Sequence, residues 1–140
     1  MLYTDAVVEL AWADTGLVSS TPCPFCVNEP LERGEFTAVH LDKYPVSPGH
    51  LLITPLRHVS SLWDLTEDEY TELFETARRL AVAQLSAPDG WNIGVNVGAA
   101  AGQTVMHAHL HLIPRHVGDV DDPRGGVRWV VPARAVYWES

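Results

Sequence analysis

Hydrophobic and polar positions along this chain fall into short blocks with different periods. Trp91, Ile93, Val95 and Val97 alternate with Asn92, Gly94 and Asn96, the period of a strand with one apolar face. Glu35 to Leu41 carries the β-compatible Phe36, Thr37 and Val39. His50 to Thr54 is a short apolar run bounded by prolines, which predicts a buried strand. Asp42-Lys43-Tyr44-Pro45 and Ser47-Pro48-Gly49 between them are turn chemistry, so the two runs read as a hairpin. Spacing of three and four joins Tyr70, Leu73, Phe74, Ala77, Leu80 and Ala81 into one helical stripe. Thr66 and Glu69 open that helix as a capping box, and Pro88-Asp89-Gly90 stops it. Glu72, Glu75, Arg78 and Arg79 are expected on its solvated face, with Glu75 and Arg79 at i, i+4. His107 to Ile113 and Val127 to Val131 supply two further strand candidates, and Ala6 to Trp12 a short helix. Five strand candidates around one long helix predict an α+β fold with a mostly antiparallel sheet.

With 140 residues, one domain over 1–140 is expected, with 1–20 as an N-terminal extension and 116–140 as a C-terminal segment. Hydrophobic residues make up 46% and charged residues 19%, which excludes a disordered tail. No apolar run approaches the roughly 20 residues that span a bilayer. The start, MLYTDAVVEL, has no basic region and carries acids early, so no secretory signal is expected and the protein is placed in the cytoplasm. Eighteen acids against nine bases give a net charge of −9, which disfavours a nucleic-acid partner.

Candidate chemistry concentrates in Gly102-Gln103-Thr104-Val105-Met106-His107-Ala108-His109-Leu110-His111-Leu112-Ile113-Pro114-Arg115. On a strand, His107, His109 and His111 share one face, about 7 Å apart in succession, while Ala108, Leu110 and Leu112 face the core. A metal triad is one reading, but three ligands on one straight strand span too far for a single ion. Cys23-Pro24-Phe25-Cys26 has three readings: half of a zinc site, a redox pair, or an accident of sequence. A redox CxxC should open a helix, and Val27-Asn28-Glu29-Pro30 is poor helix material. Gly98-Ala99-Ala100-Ala101-Gly102 lacks the ending of a P-loop, although small residues let backbone amides approach an anion.

The run His-Ala-His-Leu-His-Leu-Ile resembles the histidine triad signature, and Pro48-Gly49-His50, Asn96 and Pro114-Arg115 resemble the same superfamily in the same order. The resemblance runs from about Cys23 to Gly118 and is closest to the fragile histidine triad branch. It implies a HIT-like fold and cleavage of dinucleoside polyphosphates at an α-phosphate. His109 is then the nucleophile, forming a nucleotidyl-histidine that water hydrolyses. His111 and His50 would stabilise charge at the phosphate or bridging oxygen. Asn96, Gln103 and Thr104 would bind phosphates or leaving group, Asp42 the ribose hydroxyls, and Phe25 would stack on the base. Many relatives carry an aromatic where His40 stands here.

By the same resemblance, Cys23, Cys26, His58 and His107 would complete a closed Cys2His2 set, hence a structural zinc. A purine nucleotide substrate and a homodimer are implied as well. Among the C-terminal bases, an arginine could meet distal phosphates. Alternatives are a nucleoside phosphoramidate hydrolase, a dinucleoside polyphosphate phosphorylase, and, from other classes, a slow nucleotide-binding regulator or a metal or redox module.

Overall fold

The capping box closes in both directions: the Thr66 amide donates to the Glu69 carboxylate at 2.8 Å, and the Glu69 amide to the Thr66 hydroxyl at 3.2 Å. The helix it starts belongs to a computed structural model that describes residues 21–83 and 87–138. The expected helix over Ala6–Trp12 lies outside the described residues. In chain order, the elements are α1 (Pro24–Val27), β1 (Glu32–Arg33), β2 (Thr37–Leu41), β3 (Leu51–Pro55), α2 (Glu67–Ala83), β4 (Gly90–Val95) and β5 (Leu110–Arg115). The strands form one antiparallel sheet in the order β1-β2-β3-β5-β4, with the single long helix α2 packed on one face. None of the described helices is long and apolar enough to cross a membrane.

Ile53, Leu110 and Leu112 of the central strands are fully buried against Leu73 and Ala77 of α2. The buried stripe is narrower than the spacing predicts, because Tyr70 and Phe74 remain 46% and 39% exposed. One acid expected in solvent, Glu72, is turned inward. The Glu72 carboxylate accepts from the Phe36 and Thr37 amides and the Thr37 hydroxyl at 2.8–3.2 Å, fastening α2 to the start of β2. Glu69 also receives Arg57 in a bidentate pair at 2.9 Å, and this guanidinium holds its carboxyl below the usual range. Arg79 pairs with Glu32 of the edge strand, not with Glu75.

The sheet has five strands, but Val127 to Val131 is not one of them; the fifth is the short β1. Residues Gly126–Val130 and Pro132–Arg134 are 3-10 turns. Gly125 and Gly126 enter them at positive φ (91° and 49°), a conformation open to glycine and closed to β-branched residues. Arg128 then caps the turn by donating to the Ala135 and Arg134 carbonyls.

Candidate active site and metal centre

The sheet face away from α2 brings the chemistry together. Cross-strand register sets His40 opposite Leu52 and Leu52 opposite His111, so both histidines flank one leucine. The triad does not lie on one strand face as the alternation predicts. Pairing of β5 begins only at Leu110, and the preceding turn is held by the Ala108 amide donating to Val59 O at 2.7 Å. The apolar half of the pattern holds, since Ala108, Leu110 and Leu112 are all buried. The polar half divides: His107 turns to the cysteines while His109 and His111 face a cleft of about 680 Å3.

His109 Nδ1 lies 2.8 Å from the His107 carbonyl oxygen. A carbonyl only accepts, so the proton sits on Nδ1 and the Nε2 lone pair is left for a substrate. The His109 ring contacts both the Phe25 ring, at 5.3 Å, and the His111 ring, at 5.1 Å. A second chain of bonds fixes the remaining tautomers. The Val46 amide donates to His50 Nδ1 at 3.3 Å, which puts the His50 proton on Nε2. That proton faces His111 Nδ1 at 2.9 Å, leaving the Nε2–H of His111 as a donor. Burial, reinforced by His109 and His50, pushes the His111 pKa down to about 4 and keeps it neutral. Burial also lowers His50, against the opposing pull of Asp42 at 3.4 Å. Asp42, His50 and His111 approach closely enough to suggest a cation site, but the Val46 bond leaves no lone pair on His50 Nε2. The group is a hydrogen-bond relay.

The other candidates separate in the same way. Asn96 and Thr104 line the cleft with Phe25, His40 and Asp42. Asp42 Oδ1 accepts from the Tyr44 amide at 2.7 Å, an Asx turn that aims its second oxygen at His50. Gln103 is used within the loop instead of lining the cleft: Oε1 accepts from the Gly98 amide, and Nε2 donates to Ser60 O and Val105 O. Gly98 and Gly102, both at φ 87°, give the loop the left-handed corners that this bridge spans. Three of the four C-terminal arginines are committed locally, Arg115 to Asp119 and Asn92, Arg124 to Asp122, and Arg128 to backbone carbonyls. Sequence reasoning missed the Val46 amide and the Pro55 carbonyl, because backbone groups leave no residue-type signal.

Cys23, Cys26, His58 and His107 converge, each offering an atom within 4.8 Å of the others. Cys23 Sγ and Cys26 Sγ lie 3.5 and 3.6 Å from His107 Nδ1, and Cys26 Sγ lies 3.3 Å from His58 Nδ1. Tetrahedral ligands at zinc distances should stand about 3.5 Å apart, S to N. The donor set therefore fits zinc in both number and spacing. His107 Nε2 donates to Pro55 O at 2.9 Å, so Nδ1 faces the cysteines as a lone pair, the outer-shell arrangement expected of a ligating histidine. The cysteine pair does open a helix, but one of a single turn: Cys23 is the N-cap of α1, Cys26 lies within it, and the chain leaves it at the extended Asn28 before Pro30.

A family profile described as the HIT domain matches residues 32–118, more than half of the chain. The chain belongs to the HIT domain family. This HIT domain is 39% identical over 92 residues to an AP-4-A phosphorylase of Mycobacterium tuberculosis, covering 64% of this chain and 47% of that protein. It is 38% identical over 92 residues to an asymmetrical bis(5'-nucleosyl)-tetraphosphatase of Schizosaccharomyces pombe, covering 64% and 50%. The chain thus spans about half the length of these curated relatives. A Zn-bound histidine triad family protein from Mycobacterium smegmatis superposes with a TM-score of 0.63 at 31% identity, covering 81% of this chain and 93% of that one.

Proposed function

We propose that this HIT domain cleaves dinucleoside polyphosphates at an α-phosphate through a nucleotidyl-histidine on His109. The observation that carries the reading is the 2.8 Å bond from His109 Nδ1 to the His107 carbonyl, which leaves Nε2 unprotonated at the cleft. Nε2 attacks the α-phosphorus, a P–N bond forms, and the P–O bond to the remaining polyphosphate breaks. The leaving oxygen departs as an anion stabilised by the Nε2–H of His111. Water then attacks the same phosphorus and the P–N electron pair returns to Nε2. The products are a nucleoside monophosphate, the shortened polyphosphate and one proton given to solvent. Phe25 and His40 wall the nucleoside side, and Asn96 and Thr104 meet the phosphates. The phosphorylase and the tetraphosphatase among its relatives support the substrate class.

Cys23, Cys26, His58 and His107 would hold a structural zinc, as the spacing and the Zn-bound neighbour support. Bound there, it would supply a cross-link between α1 and the turn before β5. A homodimer would cover the apolar face formed by the exposed Trp63, Phe74 and Ile93 beside the edge strand β4. The reduced cysteine pair suits a cytoplasmic setting.

Rapid quench of the wild type with diadenosine triphosphate, followed by peptide mass spectrometry, should find an acid-labile adenylyl group on His109. An adduct elsewhere, or turnover that survives in His109→Ala, would overturn the assignment.

A further inference from the structure

The cleft at His109 does not end the concavity on this face of the sheet. Past Val46, which belongs to both walls, a second cavity of about 320 Å3 continues along β5. Its floor is Ile113, Asn92 and Arg115, and its far wall includes Val120 and Val127. Both wall residues lie beyond residue 118, outside the part of the chain that matches the family profile.

The order of groups along the face is informative. Ring contacts run in succession from Phe25 to His109 at 5.3 Å and from His109 to His111 at 5.1 Å, and Ile113 is the next residue of β5 on the face of His111. Given the proposed attack by His109, a nucleoside held at Phe25 and His40 leaves its scissile bond directed toward His111. The departing half then runs over Val46 toward Ile113. The electrostatics of the second cavity select what it can receive. The Arg115 guanidinium is held by both oxygens of Asp119 at 2.6 and 2.7 Å and by Asn92 Oδ1 at 2.6 Å. Its charge is thereby cancelled at the cavity, which disfavours a further phosphate. The remaining lining is largely branched aliphatic, with the Asn92 amide group and Ser47 as polar points. That is the chemistry of a base site.

We propose that this second cavity, closed by the C-terminal segment through Val120 and Val127, is a subsite for the leaving nucleoside of a dinucleoside polyphosphate. It rests on the functional reading above and makes the chain a two-nucleoside enzyme by construction. A substrate whose leaving group is not a nucleoside leaves this subsite unused.

The test compares kcat/KM for diadenosine triphosphate with that for adenosine 5'-phosphoramidate, whose leaving group is ammonia. Val127→Trp and, separately, Val120→Trp fill the cavity from exposed positions. Each should lower the ratio at least ten-fold. In a His109→Ala background, the same substitutions should weaken binding of diadenosine triphosphate more than binding of AMP. Equal effects on both substrates in both variants, or an unchanged ratio, would overturn the subsite. Failure of the wild type to turn over either substrate would instead overturn the functional reading itself.

Discussion

His107 orients His109 through its backbone while its own ring belongs to a different centre. Its carbonyl accepts from His109 Nδ1 at 2.8 Å, and its ring lies within 3.6 Å of both cysteine sulfurs. One residue thus couples the cysteine-histidine cluster to the tautomer of the cleft histidine. The first consequence concerns His109 alone. His109→Ala should abolish turnover of diadenosine triphosphate and leave nucleotide binding within a few-fold of wild type. Steady-state assay with equilibrium titration checks both halves, and residual catalysis with intact binding would move the nucleophile elsewhere.

The relay from Val46 through His50 to His111 should behave as a unit. His111→Ala and His50→Ala should each lower kcat by roughly 10- to 1000-fold, about 1.4–4 kcal/mol of transition-state stabilisation. Because His50 acts by fixing the tautomer of His111, the double variant should lose little more than the worse single one. Additive losses in a double-mutant cycle would show that the two act independently.

Local patterns proved legible in the sequence and long-range decisions did not. The capping box and the β2–β3 hairpin depend on residues a few positions apart, and both formed as expected. The triad alternation failed at His107 because strand pairing starts at Leu110, and only partner strands decide where pairing starts. Val127 to Val131 has strand composition, but positive-φ glycines before it and Pro132 after it fold it as a 3-10 turn. Gln103 carried a phosphate-binding expectation from family position, and its amide is instead used to brace the loop.

Zinc should be present at about one per chain. Cys23→Ala should lose it and lower stability by several kcal/mol, since the other three ligands lose their common partner and α1 its tether. Metal analysis of the purified protein decides the first point and thermal melts the second. A metal-free protein whose two thiols titrate fully in the native state would reject the site.

Glu72 should matter for stability although it sits on a helix face that composition assigns to solvent. Its carboxylate satisfies the Phe36 and Thr37 amides at the edge of the core. Glu72→Ala leaves those donors without their partner, at about 1–3 kcal/mol for the unmade bonds. Urea denaturation should show a lower midpoint with an unchanged slope. A midpoint equal to wild type would mean that the bonds are replaced by water at no cost.

Acid should destabilise the protein through His111, with a sign that follows from its environment. Burial first, then the neighbouring His109 and His50, depress its pKa from 6.5 to about 4. Between those values the unfolded chain binds more protons than the folded one, so stability rises with pH across the window. The contribution is complete above about pH 6.5 and is lost as the pH falls toward 4. His40 and His50 are lowered by burial as well and add to the trend in the same direction. His111→Gln removes one titrating group and leaves the cysteine-histidine cluster in place. Between about pH 7.5 and about pH 5, wild type should lose on the order of 1–2 kcal/mol more than this variant. Urea midpoints at the two pH values measure the difference directly, with cluster titration cancelling between the two proteins. Parallel pH dependence in wild type and variant would place the buried, neutral imidazole at some other histidine.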